Sequence, residues 1–297
     1  MRRPAKGPFL DIAIHLGAHC TDEDLILRTL MQNADALTRR GIVVPPGNRV
    51  RPAIRRVLAA RPDDAFPPNT EPLRDSLLDG ERARRLVLSY EGFLATYATA
   101  LDGPDLYPEA GRRAASLQDV FPRDRVAFFL AIRNPATHVP ALFEASSADD
   151  FGAFLDGVDL PRLRWSAVVD AIRAACSDAA LTVWCNEDLP LIWPDVLYAV
   201  IGTDIPLAGE DAILRQVMSA EGVRRFEAYI QENPAPDRST WRKAASAFLV
   251  RHADAAQIEP EITQPDWSED MIAGLSDLYE ADVARIRARD DVTFLAP

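Results

Sequence analysis

The 297 residues, 48% of them apolar, are enough to bury a large core in one α/β unit. A formal net charge of −12 argues against a nucleic-acid or anionic-membrane surface as the main partner. Three cysteines at irregular spacing, Cys20, Cys176 and Cys185, argue against a disulfide scaffold, and no apolar stretch approaches the length of a membrane span, which together suit a reduced, cytoplasmic protein.

The segment Met1 to Pro8 is basic but short, and the apolar run after it is interrupted by Asp11 and His15, so it does not read as a secretion signal. Ile12 to Leu16 then reads as a buried strand, Gly17 as a tight turn, and Thr21 to Arg40 as a helix stopped at Gly41. Strand, glycine turn and helix N-terminus make an anion-binding frame, because the first helical N–H groups have no internal partner. The turn itself lacks the side chains of a nucleotide site: Cys20, Asp22, Glu23 and Asp24 stand where glycines, hydroxyls and a lysine belong. The only lysines, Lys6 and Lys243, lie elsewhere in the sequence. Leu27, Leu30, Met31, Ala34 and Leu37 share one helical face, Thr21 or Asp22 can cap it, and Glu23 and Asp24 complement its dipole. These acids are ordinary first-turn stabilisers, and they also occupy the field that a phosphate would otherwise fill.

Pro45 to Arg85, rich in Pro, Arg and Asp, reads as a surface excursion over the open end of the sheet, with helices near Ala53–Ala60 and Pro72–Asp79. Its Arg49, Arg51, Arg55 and Arg56 form either a basic patch or a solvated helix face. Leu86 to Ser89 is the next buried strand, ending in Tyr90-Glu91-Gly92; a carboxylate at a parallel strand's C-terminal end sits beside the ligand crevice, or caps the next turn. A helix from Tyr107 to Phe121 leads to Val126–Ile132, the most continuous apolar run and a central strand, followed by Arg133-Asn134-Pro135 and a helix through Phe143. Helices over Phe151–Leu155 and Pro161–Cys176 precede a short strand, Leu181–Cys185, and Asn186-Glu187-Asp188-Leu189. The last third is read as helical: Asp195–Ile201, Asp211–Met218, Gly222–Gln231, Thr240–His252 and Ser268–Arg289.

His15, His19, Cys20 and Cys185 suggest zinc by residue type, but zinc is not expected, since His15 and His19 are divided between a strand and a turn and do not form a one-faced helical pair. Cys20 near a helix N-terminus invites nucleophilic catalysis, but the adjacent acids oppose its thiolate. Neither a Gly-x-Ser-x-Gly elbow nor a dinucleotide fingerprint occurs.

Four of these motifs together resemble the sulfotransferase family, which transfers a sulfuryl group from phosphoadenosine phosphosulfate. Bacterial members open with a strand ending in Gly-x-x-Lys/Arg-Thr-Gly-Thr-Thr/Ser, a helix, and Gly-Ile-x-x-Pro. Gly17, Ala18, His19 and Thr21 fit, as does Gly41-Ile42-Val43-Val44-Pro45, whereas Cys20 replaces the basic residue, Asp22 the glycine, and Glu23 and Asp24 the hydroxyls. Ser89-Tyr90-Glu91 resembles the Ser-x-Glu whose carboxylate is the candidate base, and Arg133-Asn134-Pro135 the motif whose arginine binds the donor 3′-phosphate with a serine, here Ala141; an arginine at that strand end equally suits a structural ion pair with an acid of the neighbouring first turn. Glu187-Asp188-Leu189 resembles a late segment that supports the fold. The match spans about Phe9 to Leu189.

The resemblance implies a three-layer α/β fold with a mostly parallel sheet of about five strands flanked by helices, as a single domain over 1–297 with a helical part from about 194. Ile12–Leu16 and Val126–Ile132 should be adjacent parallel strands. It implies Glu91 as base, Arg133 on the 3′-phosphate, backbone N–H groups of Ala18 to Thr21 on the phosphosulfate, and a small-molecule or glycan hydroxyl as acceptor. Because the mismatches fall on the chemistry, the expectation is a sulfotransferase-like protein with a lost or impaired donor site. Its alternatives are an active sulfotransferase using phosphoadenosine phosphosulfate and a non-catalytic binding or scaffold protein on the same fold.

Overall fold

The computed structural model describes residues 9–59, 71–233, 237–258 and 267–297. Its centre is a six-stranded sheet in the order β2-β3-β1-β6-β7-β8, with every pairing parallel. The strands are β1 (Asp11–His15), β2 (Ile42–Val43), β3 (Arg85–Ser89), β6 (Arg125–Ile132), β7 (Ala180–Cys185) and β8 (Thr293–Leu295). A separate antiparallel hairpin joins β4 (Leu101–Asp102) to β5 (Asp105–Leu106). β1 and β6 are neighbours, with Ile12 opposite Val126 and His15 opposite Phe129.

Strand alternation divides the core into two layers. Ile12, Ile14, Leu86, Leu88, Phe128, Leu130 and Ile132 face one layer. Ala13, Val87, Phe129, Ala131 and Trp184 face the other. Both sides are apolar because helices cover both, as a parallel sheet requires. Helices Gly47–Ala59, Ala110–Asp119, Trp165–Ala175 and Glu269–Arg287 supply buried residues to the first layer. Leu25–Gln32, Leu189–Ile201, Ala220–Glu232 and Arg238–His252 supply the second.

Several expectations are corrected. The sheet has six strands, not about five: to the four apolar runs read from the sequence it adds β2, paired with β3, and β8, which follows the last helix and pairs with β7 at Thr182↔Thr293, Val183↔Phe294 and Trp184↔Leu295. The first helix does not run from Thr21 to Arg40. It starts at Leu25 and is interrupted at Asn33 before resuming as Ala34–Thr38. Asn33 donates through Nδ2 to the carbonyls of Thr29 (2.8 Å) and Ala208 (2.9 Å) and accepts from Ala208 N–H (2.9 Å). Those tertiary bonds override a helical period that continues past it in the sequence. Gly47–Ala59, read as part of a surface excursion, buries Val50, Ile54, Val57 and Leu58 in the core. The end of the predicted Ala53–Ala60 helix reaches residues 60–70, which lie outside the described residues. No described helix is long and apolar enough to cross a membrane.

From β1 the chain proceeds to β2 and β3 on one side, and from β6 to β7 and β8 on the other. The connections therefore diverge at the β1/β6 pair, where a parallel sheet opens a crevice beyond its strand ends. Residues 16–24 and Arg133 emerge there.

Candidate functional site

The segment after β1 continues the sheet before it turns. Leu16 N–H donates to Phe129 O (2.8 Å), Ala18 N–H to Ala131 O (3.1 Å), and Ala131 N–H to Gly17 O (2.6 Å). Gly17 has φ +92°, and a Cβ there would lie 2.9 Å from Glu91 Cα and 3.1 Å from Glu91 O. A glycine is thus required by left-handed backbone and by the close passage of the segment after β3. That passage brings Glu91 onto the loop.

The Glu91 carboxylate accepts from Cys20 N–H through Oε2 (3.2 Å) and from the Tyr97 hydroxyl through Oε1 (2.9 Å). Burial raises its pKa, outweighing those two hydrogen bonds, with the nearby Asp24 and Asp22 adding to the rise. The Cys20 thiol is pushed up to about 12 by burial and then by Glu91, which makes it a poor nucleophile at neutral pH. Its Sγ donates to Ala141 O (3.4 Å), so the residue at the expected lysine position touches the one at the expected serine position.

His19 is buried, and both its N–H (3.1 Å) and its Nδ1 (3.0 Å) meet the Tyr107 hydroxyl. The same hydroxyl lies 3.4 Å from Nε2 of the fully buried His138. Tyr97 also packs on His19, with ring centroids 4.5 Å apart. Burial, and then Arg113, lowers the His19 pKa to about 4, and burial drives His138 well below its ordinary value. Both imidazoles are neutral near pH 7.

The acids of the turn differ in where they face. Asp22 is buried and accepts from Ile26 N–H through Oδ2 (2.9 Å), while its carbonyl accepts from Leu25 N–H (2.7 Å). Thr21 Oγ1 donates to Ala18 O (2.7 Å) instead of pointing to a ligand. Asp24, at φ +63°, is ion-paired with Arg51, whose guanidinium lies 5.0 Å from the Tyr90 ring centroid. Glu23 is exposed. Arg133 pairs with none of these acids: its Nη1 donates to Cys20 O (2.6 Å) and its Nε to Thr137 Oγ1 (3.1 Å), bracing the loop.

The structure therefore brings Gly17, Ala18, His19, Thr21, Glu91 and Arg133 into one neighbourhood. Sequence reading missed Tyr97, Tyr107, His138 and Arg113. Tyr97 follows Glu91 by one short turn, and His138 lies in the first turn after Arg133-Asn134-Pro135, so polar aromatic residues beside a motif were the available signal. Glu91, His19, Tyr97 and Arg113 line a cavity of about 260 Å³ together with Ile54 and Leu58. A second space of about 710 Å³ lies beyond β6 and β7, between Asn134, Cys185, Glu187 and the helix carrying Tyr279 and Arg287. Among the described residues, no group of three or more His, Cys, Asp or Glu could hold a metal ion.

No protein-family model matches the chain, and no curated protein matches it. Among solved structures, the sulfotransferase domain from the Synechococcus PCC 7002 olefin synthase is similar at 13% identity and a TM-score of 0.44, over 93% of this chain and 96% of that one.

Proposed function

We infer that the chain is a sulfotransferase-like protein whose donor-nucleotide site is closed, acting by binding and not by sulfuryl transfer. The observation that carries this reading is the Glu91 carboxylate resting on Cys20 N–H. Ala18 and His19 N–H groups are likewise engaged, by Ala131 O and the Tyr107 hydroxyl. Three of the backbone donors expected to hold a phosphosulfate thus already have acceptors. Sulfuryl transfer also needs cationic and hydroxyl donors where charge develops, and Cys20, Glu23 and Asp24 stand in those positions. A carboxylate about 5 Å from an incoming phosphate costs roughly 3 kcal/mol at an effective dielectric near 20, on the order of a hundredfold in affinity. Calorimetric titration with phosphoadenosine phosphate tests this: no binding at micromolar nucleotide is expected, and micromolar or tighter affinity overturns the reading.

The alternative, an active sulfotransferase with a hydroxyl acceptor, draws support from Glu91, a carboxylate of raised pKa on the wall of a cavity, as a general base would be. Micromolar nucleotide binding with donor-dependent sulfation abolished in Glu91→Gln would establish it in place of the first.

A further inference from the structure

Arg113 is half-buried, and among the described residues it has no ion pair of its own. Its Nη1 donates to Phe93 O (3.0 Å) and Gly92 O (3.4 Å), which fixes the guanidinium against the segment after β3. Among the described residues, Nε and Nη2 have no hydrogen-bond partner, and neither is sealed from solvent. Glu109, whose charge acts on Arg113, is itself ion-paired with Arg112. Among the described residues, no ion pair reaches Arg113 or Arg55. Both line the cavity of about 260 Å³, Arg113 half-buried and Arg55 exposed. A guanidinium held partly out of water without a carboxylate carries a desolvation cost that an anionic ligand would offset. Its free Nε and Nη2 edge matches a carboxylate in bidentate geometry.

The remaining lining limits the ligand. Ile54, Leu58 and Ala95 offer apolar surface, so a bare inorganic ion would leave most of the wall uncovered. Glu91 on the same lining disfavours a molecule that is negative throughout, while it accepts a hydroxyl readily. The volume suits a ligand of about a dozen non-hydrogen atoms, near the lower end of ligand cavities.

We propose that this cavity binds a small organic carboxylate, with its anionic end on Arg113 and its apolar body against Ile54 and Leu58. The inference stands on the cavity and holds whether or not the donor loop admits a nucleotide.

The test is calorimetric titration of the full chain with mandelate, hydrocinnamate and benzoate, each beside its uncharged amide. The acids are expected to bind at least about tenfold more tightly than the amides. Arg113→Gln should reduce acid binding by about tenfold or more and leave amide binding unchanged, with Arg113→Lys intermediate. If Arg113→Gln does not fold, Arg113→Lys and the exposed Arg55→Gln carry the test, each weakening the acids alone. Equal binding of acids and amides, no binding of any acid up to about 5 mM, or inorganic sulfate binding as tightly as the acids would overturn the proposal. Repeating the titration with phosphoadenosine phosphate present separates the two readings: nucleotide binding overturns the closed donor site alone, and loss of the acid preference overturns the carboxylate site alone.

Discussion

At the scale of single residues, the crevice is built around neutral imidazoles. His15, His19 and His138 are all buried, and burial holds each below its ordinary pKa, His19 at about 4 from an ordinary 6.5. Between those values the unfolded chain binds protons that the native protein does not. The stabilisation is therefore complete above about pH 6.5 and lost as pH falls through the native value. For His19 alone this is on the order of 3 kcal/mol at neutral pH. Glu91 has the opposite sign: its raised pKa favours the native state below its ordinary value of 4.5 and less as pH rises through the native one. Urea unfolding is expected to show lower stability at about pH 5 than at about pH 7.5, with His19→Gln removing ~1–3 kcal/mol of that difference. An unchanged difference in the variant would show that His19 is not the titrating group. Glu91 was legible in the sequence because a strand-end carboxylate has a fixed place beside the crevice. Its partners were not. Tyr97 reaches it only through the turns Glu91–Phe93 and Tyr97–Thr99, and Tyr107 reaches His19 from beyond the β4–β5 hairpin.

At the scale of the element, the loop between β1 and its helix departs in backbone from the helix start read from the sequence, as it departs in side chains from a phosphate-binding turn. Cys20, Glu23 and Asp24 all have positive φ, at 56°, 48° and 63°, and the helix begins only at Leu25. Sequence reading placed the first turn over Thr21 to Asp24 because acids favour helix N-termini, and it assigned capping to Thr21 or Asp22. Asp22 does accept from Ile26 N–H, but from one turn upstream of a helix that starts later. What the sequence could not disclose is that Glu91 and Arg51, distant in the chain, hold Cys20 and Asp24 in place. Glu23 differs from its neighbours, being exposed and left-handed. A left-handed non-glycine residue costs roughly 1 kcal/mol, part of which glycine returns as unfolded-state entropy. Glu23→Gly is therefore expected to raise stability by ~0.5 kcal/mol, read as a small increase in the urea midpoint at unchanged slope. A loss of stability would show that the Glu23 side chain has a role that its exposure hides.

At the scale of the whole molecule, the sheet was legible where runs were long and apolar, and illegible where a strand exists only through its neighbour. Val126–Ile132 could hardly be anything but a central strand, and it lies between β1 and β7. β8, with Thr293 exposed and Phe294 and Leu295 half-buried, has no such signature. It exists because β7 offers an edge, and because charges flanking it fix the approach: Arg289 pairs with Asp170 and Asp291, Arg173 meets Asp291 at 3.2 Å, and Arg287 lies 5.4 Å from the Phe294 ring centroid. Without β8, β7 would be an edge strand whose Leu181, Val183, Trp184 and Cys185 belong to a buried sheet, the flat apolar template along which chains associate. Deleting 292–297 keeps the ion pairs of Arg289 and removes the strand. The truncated chain is expected to lose ~1–3 kcal/mol of stability and to sediment as larger species than the full chain at equal concentration. Truncated protein with unchanged thermal unfolding and unchanged sedimentation would mean that β8 merely rests on a sheet already complete at β7. If association does appear, Thr182→Lys in the truncated chain places a charge on the uncovered edge and should reverse the association without restoring the lost stability, separating edge protection from packing.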